Sequence, residues 1–236
     1  MLAFSSLLGN VEGQNIYRIW YDKPASYWEE ALPVGNGRIA AMVFGDPQLE
    51  QIQLNEETVS AGSPYQNYNE EAKTALPEMR RLIFEGKYEE AQNMAATKIL
   101  SQVGNEMPYQ TVGRLNIRYQ DHKKVNNYYR DLDISNAVAV TRYEVDGVEF
   151  TEETFASFTD QLVIRHIKAS KPGTINCELF FNTPMRDPKR SIYGKKGLRL
   201  EGITHGSRYF PGKVHYCADL DVKHKGGKVI TANDTL

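Results

Sequence analysis

Short β-rich runs, separated every ten or so residues by turn-forming residues, are the feature that most constrains this chain. Asp146-Gly147 stands between two such runs, and both residues tolerate the positive φ of a two-residue type I′ hairpin. Lys171-Pro172-Gly173 forms a second turn signal and Gly226-Gly227 a third. Strands punctuated in this way are typical of a sandwich or barrel. The sequence therefore predicts a mainly β fold.

The predicted strands are the apolar or alternating runs between these turns. They cover residues 16–20, 38–44, 49–54, 115–119, 137–145, 148–155, 162–169, 174–182, 214–222 and 229–231. Residues 185–212 are rich in Pro, Gly, Arg and Lys, so we expect long connections there around at most one or two short strands.

Between residues 70 and 100 the hydrophobic period changes to that of a helix. Apolar residues recur at Leu76, Met79, Leu82 and Ile83, and again at Tyr88, Ala91 and Ala95. Gly86 separates the two runs, and Pro77 is expected near a helix start, where its missing N–H costs little. The sequence predicts a short helical pair inserted in the β domain.

Composition narrows the function classes. With 236 residues, 41% hydrophobic and 25% charged, the chain is long enough for one large all-β domain with its own core. A net charge of −2 predicts no electrostatic affinity for nucleic acid or anionic membranes, and no run is apolar enough for a membrane span. Cys177 and Cys217 lie in apolar-looking runs and are expected to be buried thiols, although a disulfide between them stays possible.

The densest motif is WEEALPVGNGRIAAMVFGDPQLEQIQLNEETVSAGSPY, residues 28–65. Gly35, Asn36 and Gly37 predict a tight turn into the strand that starts at Arg38. Asn55 and Glu56 follow directly where the next predicted strand ends.

This motif resembles the opening of glycoside hydrolase family 95, the inverting 1,2-α-L-fucosidase and α-L-galactosidase family. The resemblance continues, in the expected order, through residues 76–95, 107–119 and 128–157 and the strand pair around Pro172. Three positions depart from the family pattern, because Ser60 stands where Trp is expected, Ala40 where Gly is expected and Arg114 where an acidic residue is expected.

The resemblance implies that residues 16–236 are an N-terminal antiparallel β super-sandwich, which we expect to be cut slightly short. The family places catalysis in a downstream (α/α)6 helical barrel, which would be the partner of this domain. It also implies fucosylated or galactosylated oligosaccharides as substrates of the parent enzyme, and a periplasmic or secreted location. Residues 1–15 are expected to be a signal-peptide remnant or a flexible N-terminus.

No residue of this chain is predicted to be catalytic. Glycoside hydrolysis needs two converging carboxyl groups, whereas adjacent pairs such as Glu152-Glu153 point apart and are expected to be solvated. Asn36, Arg38, Asn55 and Glu56 are the candidates for substrate binding or for the interface with the barrel. Trp28 and Tyr65 could stack on a sugar ring, but core or interface positions are the commoner role of such aromatics.

Metal and cofactor sites are not predicted. The five histidines lack zinc-ligand spacing, and the sequence has no P-loop, nucleophile elbow or dinucleotide fingerprint. Two other functions stay open. A free-standing carbohydrate-binding module is suggested by the 14 tyrosines, and a sugar mutarotase by analogy of fold alone.

Overall fold

The computed structural model describes residues 17–62, 67–101, 108–207 and 211–236. In these ranges the strands are β1 (Arg18–Tyr21), β2 (Leu32–Gly35), β3 (Ile39–Val43), β4 (Leu49–Glu56), β5 (Gly113–Tyr119), β6 (Val125–Asp133), β7 (Val138–Val145), β8 (Val148–Ser157), β9 (Leu162–Ala169), β10 (Cys177–Asn182), β11 (Arg186–Tyr193), β12 (Gly197–Ile203) and β13 (His215–Asp221). The helices are α1 (Ala72–Phe84) and α2 (Tyr88–Met94), which continues into a π-helical turn, Ala95–Ile99.

The strands form three antiparallel sheets. Sheet 1 has the order β1-β6-β7-β8-β9, sheet 2 the order β10-β5-β4-β3-β2, and sheet 3 the order β11-β12-β13. Asp146 and Gly147 both adopt positive φ in the β7–β8 hairpin, as predicted. The prediction of a mainly β, antiparallel super-sandwich with an inserted helical pair is confirmed.

Sheets 1 and 2 face each other, with β2 and β3 contacting β7, β8 and β9. Alternation along each strand places one set of side chains in the core between the sheets. Ala41 and Ile52 of sheet 2 share this core with Leu132 and Ala139 of sheet 1, and Leu200 of sheet 3 joins it. One hydrophobic core therefore links all three sheets.

Gly45 lies where sheet 2 approaches β6. Its φ is +76°, and a Cβ atom there would lie 2.8 Å from Tyr128 Oη and 2.9 Å from Arg130 Cδ. The Gly45 carbonyl accepts a hydrogen bond of 2.6 Å from Tyr128 Oη. The sheets thus approach one another too closely here for any side chain.

The helical pair packs mainly on itself, with Ala75, Leu82 and Ala91 buried between its turns. Gly86 has a φ of +74° and separates the helices, as predicted. Pro77 was wrongly expected near a helix start, because it is the sixth residue of α1. Within the described ranges no helix combines the length and the apolar character needed to cross a membrane.

Several strand predictions differ from the structure. β6 was missed because its sequence, VNNYYRDLD, is polar and contains a bulge at which Asn127 adopts a φ of +51°. Residues 229–231 do not form the predicted strand, and Leu236 instead exchanges two backbone hydrogen bonds with Leu179. Both cysteines are free thiols, and Cys217 is exposed rather than buried because it points outward from β13 in sheet 3.

Candidate functional site

Asn36 occupies the turn between β2 and β3 and is buried. Its Oδ1 atom accepts hydrogen bonds from the backbone N–H groups of Arg38 (3.1 Å) and Ile39 (2.9 Å). Its Nδ2 atom donates to the carbonyl of Ser157 at 2.8 Å, at the end of β8. Gly37 provides the positive φ, +93°, that completes the turn. Asn36 therefore shapes the turn and also joins sheet 2 to sheet 1.

Arg38 and Glu56 strengthen the same junction. Arg38 Nε donates to Gln161 Oε1 in the β8–β9 turn at 2.9 Å, and Arg38 Nη1 donates to Glu56 Oε1 at 3.3 Å. Glu56 Oε2 also accepts bonds from the backbone and hydroxyl of Thr58, at 2.8 and 2.6 Å. We call Asn36, Arg38, Glu56, Ser157 and Gln161 the fastened end of the sandwich.

Asn55 belongs to a different surface. It lies opposite Ala40 in the register of β3 and β4, on the face of sheet 2 that points away from the core. The structure therefore brings Asn36, Arg38 and Glu56 together, and places Asn55 beside them on the outer face.

The outward positions of β3 and β4 are uncharged. They are Ala40, Met42, Leu49, Gln51, Gln53 and Asn55, and we call them the amide face. Arg114 of the adjacent β5 donates from Nη1 to Gln51 Oε1 at 2.8 Å and lies over the Phe44 ring at 5.6 Å. Two of the three departures from the family pattern, Ala40 and Arg114, are thus on or beside this face.

A buried ionic cluster between the sheets was missed from the sequence. Arg165 Nη2 donates to Glu50 Oε2 at 2.7 Å and also pairs with Glu152 Oε2. Tyr119 and Tyr143 donate to Glu152 Oε1 at 2.8 and 2.5 Å. The prediction that Glu152 is solvated is wrong, since only 1% of its surface is exposed.

The missed signal was strand alternation. Glu50 shares its face of β4 with Ile52, and Glu152 shares its face of β8 with Phe150, so both carboxyl groups point into the core. An acidic residue in register with core residues indicates a buried pair rather than a solvated one.

Burial governs the ionisation of this cluster. Desolvation raises the pKa of Glu50 to about 7, although Arg165 and two backbone N–H groups oppose the shift. Burial likewise raises the pKa of Tyr119 well above its ordinary value, with the Glu152 charge adding to the effect. Burial alone would lower the pKa of Arg165, but the two carboxylates outweigh it, so the net shift is upward.

The cluster is suited to holding the sheets together rather than to catalysis. Glu50 and Glu152 are enclosed between two sheets, where a saccharide cannot reach them. Glu56 is accessible, but it is held by Arg38 and Thr58 and faces no second carboxylate in the fastened end. Across the described ranges, no group of three or more His, Cys, Asp or Glu side chains could hold a metal ion.

Of the two aromatic candidates, the structure describes Trp28 but not Tyr65. Trp28 lies in a 3-10 turn, Trp28–Glu30, and is 49% exposed. The buried Arg130 holds this loop by donating to the carbonyls of Lys23 (2.8 Å) and Glu30 (2.7 Å). Tyr65 and residues 1–16 lie outside the described residues.

Comparisons with known proteins agree with this architecture. Residues 19–236 match the protein-family model described as glycosyl hydrolase family 65, N-terminal domain. The chain is 37% identical over 181 residues to "Alpha-L-fucosidase 2" of Arabidopsis thaliana, covering 74% of this chain and 21% of that protein. It is 26% identical over 162 residues to "Probable alpha-fucosidase A" of Aspergillus niger, covering 64% of this chain and 20% of that protein.

A second "Probable alpha-fucosidase A", from Aspergillus oryzae, is 25% identical over 211 residues, which cover 84% of this chain and 28% of that protein. The chain thus spans about a fifth to just over a quarter of the length of these curated relatives. The narrower resemblance to family 95 stays a prediction. The match over residues 19–236 shows that the chain belongs to the glycosyl hydrolase family 65 N-terminal domain family.

Proposed function

We propose that this chain is the non-catalytic N-terminal domain of an inverting, α-L-fucosidase-like exo-glycosidase, and that it packs on and braces a downstream (α/α)6 catalytic barrel. The observation that carries the proposal is the amide face beside the fastened end. An outward sheet face in water normally carries charged residues, whereas the core of an interface is depleted of them. Six neighbouring outward positions without a charge therefore favour a covered surface.

The fastened end gives this surface the rigidity that a brace needs. Asn36 and Arg38 connect the β2–β3 turn to the β8–β9 turn through Ser157 and Gln161, at distances of 2.8 and 2.9 Å. A turn held by hydrogen bonds from two sheets loses little further conformational freedom when a partner binds.

Chemistry in the parent enzyme would then take place outside this chain. A carboxylic acid of the barrel protonates the leaving oxygen, while a second polar group orients the attacking water. The substrates we propose are fucosylated or galactosylated oligosaccharides. The four residues Asn36, Arg38, Asn55 and Glu56 would act through the interface.

A chimera tests the proposal. The region of the Arabidopsis relative that corresponds to residues 19–236 of this chain is replaced by those residues, and release of L-fucose from 2′-fucosyllactose is measured. We expect an active chimera, and we expect Ala40→Arg to lower its activity by about tenfold or more, because a charge would enter an interface core. Ala232→Arg, at an exposed turn, is the matched control.

Two results would count against the account. Equal activity of the Ala40→Arg and Ala232→Arg chimeras would exclude the amide face as the interface. An inactive chimera, with the Arabidopsis protein active in the same assay, would contradict the bracing role itself. Neither substitution should change the thermal midpoint of the isolated chain, because both alanines are exposed.

A further inference from the structure

Trp20 lies on the surface opposite to the amide face. It belongs to β1, the edge strand of sheet 1, and 61% of its surface is exposed. In register it stands opposite Asp131 of β6, on the face of sheet 1 that points away from the core. Its indole ring is therefore presented to solvent from the outer face of sheet 1.

The ring is held in a fixed orientation. Tyr129, two residues from Asp131 along β6, stacks on Trp20 with ring centroids 6.2 Å apart and an interplanar angle of 20°. Offset stacking of this kind supports one side of an aromatic ring and leaves the other free. An exposed Trp is thus pre-organised here, which lowers the entropy lost when a ligand binds to it.

Charged groups surround the ring but balance one another. The side chain of Asp131 is fully buried, with Arg18 Nη1 3.2 Å from its Oδ2 and Arg142 Nη1 3.3 Å from its Oδ1. Arg18 Nη2 also lies 3.3 Å from Asp133 Oδ2. Two arginines and two aspartates sum to a local charge of zero, so the cluster supplies N–H donors without attracting anions.

We propose that this outer face of sheet 1 binds a neutral, extended polysaccharide, with Trp20 as the stacking platform for the apolar face of one pyranose ring. Arg142, whose side chain is 46% exposed, donates hydrogen bonds to the hydroxyl groups of the sugar. On the same outer face, Glu144, Glu149 and Glu153 outnumber Lys168, so the face has no excess of positive charge and favours a hydroxyl-bearing ligand over a uronate or sulfate polymer. The site lies on the opposite sheet from the amide face, so it does not depend on the proposed brace.

The experiment uses the fact that the chain contains two tryptophans. In the variant Trp28→Phe, Trp20 is the sole indole, and its fluorescence reports on this surface. Soluble xyloglucan and hydroxyethyl cellulose are titrated, with polygalacturonate as the acidic probe. We expect a saturable change in Trp20 emission with a neutral polymer, and no change in the variant Trp20→Phe, whose remaining indole is Trp28.

Affinity electrophoresis through gels containing the same polymers gives an independent measurement. We expect Trp20→Ala to weaken retardation by about tenfold or more, the usual scale for a central aromatic anchor. Arg142→Ala should weaken it by about threefold or more, and Lys168→Ala, an exposed cation on the same face, should leave it unchanged. Circular dichroism confirms that each variant is folded.

The proposal is overturned if neither neutral polymer retards the protein or changes Trp20 emission. It is also overturned if Trp20→Ala and the parent chain are retarded equally, or if polygalacturonate alone binds. Retardation that is lost in Trp28→Ala but retained in Trp20→Ala would move saccharide binding to the Trp28 loop and equally exclude this site.

Discussion

At the scale of single residues, the fold moves the ionisation of Glu50 into the pH range of ordinary experiments. Its ordinary pKa is 4.5, and burial raises it to about 7 in the folded chain. Between these two values the folded state binds more protons at this site than the unfolded state does. The contribution of Glu50 to stability is therefore complete at low pH and is lost as pH rises through this window.

Glu50→Gln should remove this dependence. We expect the free energy of unfolding of the parent chain, compared with that of the variant, to fall between pH 5 and pH 7.5, with a slope of at most about 1.4 kcal/mol per pH unit. Urea denaturation across this range measures both. Glu153→Gln serves as the control, because Glu153 follows Glu152 in β8 and its carboxyl group is partly exposed.

The free energy of unfolding of Glu50→Gln must be subtracted from that of the parent chain at each pH, because other titratable groups face Glu50 from the strands packed against it. Arg165 and Glu152 come from β9 and β8, and Tyr128 from β6. His122 has a pKa lowered by burial, so its own contribution is lost as pH falls and opposes that of Glu50. Parallel pH profiles for the parent chain and Glu50→Gln would rule out the shifted pKa of Glu50.

Single residues were also where sequence reasoning was weakest. Asn36 and Glu56 could be singled out because they stand in a recognisable turn motif, and the structure joins both to Arg38. Glu152 could not be placed by a rule about adjacent acidic pairs, because its burial depends on an arginine 13 residues away in β9. Charge partners that meet only through sheet pairing are not visible in local sequence.

At the scale of elements, the link between the β2–β3 turn and the end of β8 rests on Asn36. Asn36→Ala removes one donor and two acceptor contacts, and should lower the free energy of unfolding by about 1–3 kcal/mol, because buried backbone groups lose their partners. Asn36→Asp keeps the acceptor oxygen and should lose less. Asn55→Ala, on the outer face, should change stability by less than about 0.5 kcal/mol.

Chemical denaturation of the three variants decides this prediction. Equal stability of Asn36→Ala and Asn55→Ala would mean that the turn does not depend on the cross-sheet hydrogen bond. If Asn36→Asp lowered the free energy of unfolding as much as Asn36→Ala does, the effect would be assigned to the Nδ2 donor alone.

The helical pair should behave as a separate unit of stability. Leu82→Ala opens a cavity in a small cluster, at a cost of about 2–5 kcal/mol, which an insert packed mainly on itself cannot absorb. We expect faster amide hydrogen exchange throughout α1 and α2, with the exchange of β7 and β8 unchanged. Phe84→Ala, at a side chain that is 89% exposed, is the control.

Uniformly faster exchange in the helices and in sheet 1 would show instead that the insert and the sandwich unfold together. The helical period of this insert was predictable because its apolar pattern includes Leu82 and Ala91, which are buried within the pair. The position of Pro77 within α1 was not predictable, because the predicted helical pattern begins at Leu76 whereas the helix itself begins at Ala72.

At the scale of the whole molecule, the residues of the hairpin turns contributed most to the prediction of a β fold. Asp146-Gly147 defined the β7–β8 hairpin because positive φ at both positions is a local requirement. The assembly of three sheets around one core was not derivable locally, because the order of sheet 2 places β10 beside β5, far apart in sequence. The resemblance to a glycoside hydrolase family supplied the sandwich, and the family match over residues 19–236 agrees with it.

Within the described ranges, the acidic residues Glu50, Glu152 and Glu56 have structural partners. Glu50 and Glu152 meet in the core, where both are buried with Arg165, and the accessible Glu56 is held by Arg38. Domains that brace a catalytic partner can keep their acidic residues in such structural roles, because the reacting groups lie elsewhere.

Whether this domain lacks catalytic activity of its own is decided by incubating the purified 236-residue chain alone with 2′-fucosyllactose and measuring the release of L-fucose. We expect no release above that of a buffer blank, for the parent chain and for Glu56→Gln alike. Enzyme-like release by the parent chain that is abolished in Glu56→Gln would place a catalytic carboxylate in this domain and contradict the account.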